Sequence, residues 1–392
     1  MSKLAFRTID EVKDLRGKRV VLRADFNVHI EDNKVAEEFR IQKTLPTLKF
    51  LVDSGAKVVV ISHIDSKEGG TLEPVARYLA PTFPKLRFIA DIFSQEAVEE
   101  VKNLTEGGVI LFENLRNWEG EKANTPSFAA HLASFGDIYV NDGFAVSHRE
   151  HASVVGVPAL LPSYAGFLMR DEVENLSKSF NPPHPFLFVL GGAKFETKLP
   201  LIEKFSKIAD FLFIGGALAN DIFKAKGYFM GDSLVSNIDV SKYALDPKIV
   251  LPTDVRTLHK GERFTKLPTE ISVNEKIWDA GPKTVPMLQL TIEAASLIIW
   301  NGPMGNYESG FIDGTKEMAE AIAASNATTI VGGGDVVAAL NSLSMLNKFT
   351  FVSTGGAAML EFLASETLPG IKALDQRPEE EEKPSFFKRL FS

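Results

Sequence analysis

Five glycine-rich turns in the second half of this 392-residue chain are the first places where chemistry can sit. They read Gly191-Gly192-Ala193-Lys194, Gly215-Gly216-Ala217, Asn301-Gly302-Pro303-Met304-Gly305, Gly332-Gly333-Gly334-Asp335 and Ser353-Thr354-Gly355-Gly356. Glycine lets backbone N–H groups come close to an anion, and a helix that follows adds the positive end of its dipole. Lys194 and Lys198 stand four residues apart just after the first turn. In a helix that begins there they share a face, an arrangement that makes sense with an anion between or above them. Asp335 follows three glycines and reads as a helix N-cap, as a hard oxygen ligand for Mg²⁺ beside phosphates, or as both. Together these residues describe a surface for a polyphosphate.

The first half carries a different set. Its polar clusters are Arg23-Ala24-Asp25-Phe26-Asn27, Ser62-His63, Glu113-Asn114-Leu115-Arg116, Asn141-Asp142-Gly143-Phe144 and Ser147-His148-Arg149-Glu150-His151, with Arg40 nearby in sequence. Arginine recognises carboxylate and phosphate through paired donors, so this set points to a small phosphorylated acid. His148 and His151 at i, i+3 could also form a metal pair. No third ligand is evident nearby, so a structural or anion-contacting role is the better reading. A polyphosphate site and a small-anion site in one chain make phosphoryl transfer the natural reaction. In that chemistry positioning and charge neutralisation do most of the work.

Several other classes are set aside. G-x-x-x-x-G-K-[ST] is absent, no convincing G-x-G-x-x-G follows a strand, and no protein-kinase motif set occurs. There is no cysteine, which removes disulfides, thiolate nucleophiles and Cys-ligated metals. The net charge of -8 argues against a nucleic-acid partner. No apolar run approaches the roughly 20 residues of a membrane helix, and the N-terminus lacks the apolar core of a signal peptide. The expectation is a cytoplasmic protein with no nucleic-acid or membrane partner.

The elements that must position these residues follow one pattern. Short apolar runs end in small or polar residues, and helix-like segments follow. The runs are Arg19–Arg23, Lys57–Ser62, Gly108–Phe112 and Asp137–Val140, then Pro185–Leu190, Phe211–Ile214, Lys248–Leu251, Leu297–Trp300, Thr328–Val331 and Thr350–Val352. Thr44–Val52 and Leu199–Ile208 have helical spacing. Continuous apolar runs imply strands buried on both faces, hence parallel sheets covered by helices. The expected fold class is α/β, with two Rossmann-like three-layer domains. Ligands then bind beyond the carboxyl ends of the strands. Gly166–Phe180 reads as a hinge helix, broken by Asn181-Pro182-Pro183-His184-Pro185. Residues 376–392 form an acidic and aromatic tail, read either as solvated or as a small docking helix.

In order, the segments Val21–Val28, Glu113–Arg116, Tyr139–Ser153, Gly191–Lys198, Trp300–Gly305, Gly332–Asp335 and Ser353–Gly356 resemble the phosphoglycerate kinase family, over about residues 18–374. The resemblance implies reversible phosphoryl transfer from 1,3-bisphosphoglycerate to ADP, giving ATP and 3-phosphoglycerate in glycolysis. It also implies Mg²⁺, a monomer and hinge bending. It assigns residues 1–172, with about 366–375 returning, to the glycerate domain and 173–365 to the nucleotide domain. Asp25, Phe26, Asn27, Arg40, His63, Ser66, Arg116, His148 and Arg149 would line the glycerate site. Gly192, Lys194, Lys198, Gly215, Gly216, Asn301, Glu308, Gly333, Gly334, Asp335 and Val336 would line the nucleotide site. Arg40, Lys194 and Lys198 would be catalytic, Asp335 would bind the metal, and Thr354, Gly355 and Gly356 would aim a helix N-terminus at the transferred group. The chain departs from the family pattern at Asp65, Ser66, Val336 and Ala357. Those departures leave room for a nucleotide-binding relative with impaired catalysis, acting as a scaffold or regulator, and for a kinase of another small acid.

Overall fold

The computed structural model describes residues 6–65 and 70–375; Ser66 and the tail from residue 376 lie outside the described residues. The chain divides into two compact units. One holds the residues up to Asp171 and the segment from Thr367 onward; the other is Glu172–Glu366.

The first unit is built on β1 (Arg19–Arg23), a small hairpin of β2 (Ile30–Glu31) and β3 (Lys34–Val35), β4 (Lys57–Ile61), β5 (Leu86–Ile89), β6 (Val109–Phe112), β7 (Ile138–Asn141) and β8 (Ser163–Ala165). Six of these form an all-parallel sheet in the order β5-β6-β4-β1-β7-β8. Val20, Val21 and Leu22 on β1 and Val58, Val59 and Val60 on β4 are wholly buried. Both faces of those strands are therefore covered, as the unbroken apolar runs require. From β1 the chain winds outward to β4 and β6, then returns to the other side of β1 as β7 and β8. That reversal opens a crevice at the carboxyl edge beside β1.

The second unit repeats the logic. Its strands are β9 (Phe186–Leu190), β10 (Phe211–Ile214), β11 (Ile249–Val250), β12 (Val255–His259), β13 (Glu262–Lys266), β14 (Glu275–Ala280), β15 (Leu297–Asn301), β16 (Thr328–Gly332) and β17 (Phe351–Val352). The parallel sheet runs β11-β10-β9-β15-β16-β17, with its reversal between β9 and β15. The remaining three strands make a separate antiparallel sheet, β13-β12-β14, which the apolar runs of the sequence do not reveal. β13 is exposed at four of its five positions, so it has no apolar signature to find.

Helix Phe167–Ser177 contains the border between the units. Helix Phe195–Ile208 begins four residues before the predicted Leu199, so Pro200 lies inside it. Helix Pro369–Asp375 belongs to the first unit, where the Gly370 N–H donates to the Ser147 carbonyl at 2.9 Å.

Candidate active site

In the first unit the residues after β1 and β4 form the floor of an anion site. Arg23 is wholly buried, and its guanidinium is spent on structure. It donates to the Ser153 hydroxyl at 2.9 Å, to the Ala24 carbonyl, and to Nδ1 of His63 at 3.0 Å. Arginine can only donate, so His63 Nδ1 accepts and the ring proton sits on Nε2. Burial, then the charges of Arg23, Arg116 and Arg40, hold His63 well below the usual histidine range. His63 is therefore a neutral donor through Nε2. Burial, then Arg116, likewise pushes His151 down to about 4, and burial, then Arg149, lowers His148. All three histidines stay uncharged at neutral pH because they are removed from water and cations stand beside them.

Asp25 is 1% exposed and accepts from Arg40 at 2.9 Å, which fixes that guanidinium at the crevice. Phe26 packs in the core of the unit and gives its N–H to the Ser62 hydroxyl at 2.9 Å. Asn27 and Arg116 converge on the same residue, Asp65. Arg149 is exposed on the loop after β7. Sequence reasoning assigned no role to the supports beneath these residues: Arg23, Ser62, Asn114, and the buried Glu121 that accepts from Ser153 Oγ at 2.6 Å. Arg23, Ser62 and Asn114 stood in clusters that drew attention; Glu121 did not.

In the second unit three glycine turns interlock at the β9–β15 reversal. The Gly191 N–H donates to the Asn301 carbonyl and the Gly192 N–H to the Pro303 carbonyl, both at 2.8 Å. The Gly215 N–H donates to the Leu190 carbonyl at 2.7 Å. Gly216 has φ +59, and a Cβ there would lie 2.6 Å from the Gly192 nitrogen. Only glycine permits both the conformation and the approach. Asn301 ties β15 to β16 by donating from Nδ2 to the Gly332 carbonyl at 2.7 Å.

Lys194 and Lys198 do not form a matched pair. Lys194 is the exposed N-cap of the Phe195 helix, whereas Lys198 is buried and donates to the Gly191 carbonyl. Burial lowers Lys198 to about 8, and the Asp335 carboxylate partly opposes that shift. A Cβ on Gly302 would lie 2.6 Å from its ammonium, so the glycine leaves the space that the charge occupies.

The helices that begin at Phe195, Gly216, Gly334 and Ala357 start without a side-chain cap. In the Gly334 helix the N-cap is Gly333, not Asp335. Asp335 lies exposed in the first turn, which leaves its carboxylate free of a capping role. Val336 is fully buried, so its part at this end is restricted to its backbone N–H. No side chain occupies the space beside Gly334 or Gly356 within 4 Å. Thr354 is engaged: its N–H and its hydroxyl both donate to Glu172, at 2.6 and 2.8 Å.

Beside these turns lies a cavity of about 250 Å³, walled mainly by apolar groups including Phe223, Leu234, Pro252, Ile277 and Met304, with Glu308 and Asp335 at its polar end. Its far wall is the antiparallel sheet, which is why sequence reasoning found the phosphate end and missed the apolar end. Trp278, on β14, is sandwiched between the Lys276 ammonium, 4.1 Å from its ring, and Phe311, stacked at 5.2 Å. No cluster of three or more metal-ligating side chains occurs among the described residues. A hard cation here would need ligand phosphates to complete its shell, with Asp335 as the carboxylate.

The phosphoglycerate kinase family model matches residues 9–366. The chain belongs to the phosphoglycerate kinase family. It is 42% identical to "Phosphoglycerate kinase" of Thermosipho africanus, covering 95% of this chain and 98% of that one. It is 39% identical to the protein of the same name from Dictyoglomus turgidum, over 95% of this chain and all of the other. The solved phosphoglycerate kinase of Coxiella burnetii superposes with a TM-score of 0.83 at 36% identity, covering 95% of this chain and 99% of that one. The family's two parallel sheets and its phosphotransfer chemistry thus meet the geometry described above.

Proposed function

We propose that this chain is a phosphoglycerate kinase that transfers a phosphoryl group reversibly between 1,3-bisphosphoglycerate and ADP, giving 3-phosphoglycerate and ATP. The observation that carries the reading is Lys198: a buried ammonium at the meeting of three glycine turns, beside uncapped helix ends and an apolar cavity. A buried cation held in that setting favours an incoming polyphosphate, because the anion supplies the charge partner that burial removed.

In this reading the base enters the apolar cavity, Glu308 accepts from the ribose hydroxyls, and the phosphates pass Gly192 and meet the helix N-termini that begin at Gly216 and Gly334. Lys194 and Lys198 neutralise the phosphates. Thr354, Gly355 and Gly356 orient the N-terminus of the Ala357 helix toward the transferred group. Mg²⁺, held by Asp335 and the nucleotide, would supply further charge neutralisation. Asp25, Asn27, His63, Arg116, His148 and Arg149 hold the acid, with Arg40 positioned by Asp25 to neutralise the moving phosphoryl group. Donor and acceptor bind on separate units, so turnover requires them to come together, and bending about the Phe167–Ser177 helix is the proposed means. The same reading places the enzyme in the cytoplasm as a monomer.

The test is a coupled assay with ADP, Mg²⁺ and 1,3-bisphosphoglycerate. Turnover is the expected result; none at high enzyme concentration ends the reading. Calorimetry showing nucleotide binding without 3-phosphoglycerate binding would replace it with a non-catalytic nucleotide binder.

A further inference from the structure

We propose that Asp65 is a resident competitor of the acid substrate, a carboxylate that occupies the hydrogen-bonding groups of Arg116 and Asn27 and must be displaced when the acid binds. The inference rests on the assignment of those two residues to the phosphoglycerate site. One oxygen of Asp65 pairs with an Arg116 guanidinium nitrogen. The other accepts from Asn27 Nδ2 at 3.2 Å, and the Asp65 N–H donates to Asn27 Oδ1 at 2.8 Å. Both ends of the Asn27 amide are thereby taken by one residue.

The pairing is scaffolded. Asn114 is 2% exposed and holds the stem of the loop that bears Asp65. Its Nδ2 donates to the carbonyls of Ile64 and Gly70, both at 2.9 Å, and its Oδ1 accepts from the Ile64 N–H at 3.2 Å. The same Oδ1 accepts from the Arg116 N–H at 3.1 Å. One buried amide therefore fixes the backbone of Asp65's loop and of Arg116 together.

The neighbouring pair differs in a way that matters. Asp25, paired with Arg40, is buried and cannot leave for water. Asp65 has a side chain 60% exposed, while that of Arg116 is only 15% exposed. Asp65 can swing into solvent at little cost and leave the guanidinium to a better-matched anion. Asp65 holds one guanidinium nitrogen of Arg116 and both ends of the Asn27 amide, while Arg116 Nε is buried with no hydrogen-bond partner among the described residues. A phosphate or carboxylate that takes up the guanidinium therefore competes with Asp65. Asp65 thus sets how tightly the acid binds, and leaves the nucleotide unaffected.

The experiment compares the full-length wild type with Asp65→Ala and Asp65→Asn, by titration calorimetry with 3-phosphoglycerate, inorganic sulfate and ADP, and by steady-state kinetics. Exposed ion pairs are weak, so the expected gain is about three- to tenfold in 3-phosphoglycerate affinity and a matching fall in KM. Sulfate should bind more tightly in both variants, ADP affinity should stay unchanged, and kcat should stay within about twofold. Unchanged or weakened binding of both anions overturns the proposal, and weakened binding would make Asp65 a residue that positions Arg116. Tighter sulfate with no 3-phosphoglycerate binding to any of the three proteins supports the competitor role and instead removes the phosphoglycerate reading.

Discussion

The energetics of Lys198 are set against stability. Its folded pKa is about 8 against an ordinary 10.5, so between those values the unfolded chain binds more protons than the folded one. Wild-type stability therefore rises as pH climbs through that window, and the full cost of the buried charge is present at pH 7. Lys198→Met removes that charge but leaves the Gly191 carbonyl without its donor. The variant should be more stable than wild type by on the order of 2 kcal/mol at pH 7. The difference should close toward pH 10.5, while kcat falls by at least about 100-fold. Urea unfolding at pH 7 and 10.5, with the coupled assay, checks both halves. A destabilised variant at pH 7 would show that the ammonium is repaid within the fold. Residue types alone singled out Lys194, Lys198 and Asp335. Burial separates Lys198 from Lys194, and depends on how far the Phe195 helix extends, which the sequence pattern understated.

The elements explain which glycines are needed for the fold and which are needed for the ligand. Gly216 opens the Gly216–Ala225 helix at φ +59 against the Gly192 backbone, whereas Gly334 opens the Gly334–Ser342 helix at an ordinary φ with empty space beside it. Gly216→Ala should cost about 2 kcal/mol or more, from the left-handed conformation and the backbone collision together. Gly334→Ala should leave the melting temperature unchanged or slightly raised, since alanine favours helix by up to about 1 kcal/mol. Its methyl would sit at the free helix end, so ADP affinity should still drop. Thermal melts and ADP titrations on the two variants separate the roles; a loss of stability in Gly334→Ala would refute the distinction. The central parallel strands were legible because burial on both faces writes them as unbroken apolar runs: Arg19–Arg23 and Phe211–Ile214 match residue for residue, whereas the edge strands β5 and β8 went unread. The β12–β14 sheet was not legible. β13 is exposed, and β12 and β14 set Arg256, Glu275 and Asp279 among their apolar residues, so no unbroken run marks the sheet and the apolar half of the cavity went unseen.

At the scale of the molecule, the two units should respond to acid in opposite directions. In the first, burial, helped by the cations gathered for an anion, holds His63, His148 and His151 below their ordinary value of 6.5. The unfolded chain takes up protons below 6.5 that the folded unit refuses, so this contribution to stability is complete above that pH and is lost as pH falls toward 4. Asp142 acts the other way: burial raises it to about 7, so the folded unit holds a proton there that the unfolded chain binds only near 3.8. Three histidines outweigh one carboxyl, and the first unit should lose stability from pH 6.5 to 5, by roughly 1.4 kcal/mol per pH unit for each net proton. The second unit carries buried carboxyls instead. Its Asp279, raised to about 7 by burial, gains stability over the same interval. Hydrogen exchange at pH 6.5 and 5, corrected for intrinsic rates, should show faster opening in β1, β4 and β7 and slower opening in β9, β15 and β16. His151→Gln should reduce the first effect, because the neutral amide has no proton to gain. Equal changes in both units would mean that burial and the neighbouring arginines do not hold those histidines neutral, and with that the electrostatic picture of the anion site would fail.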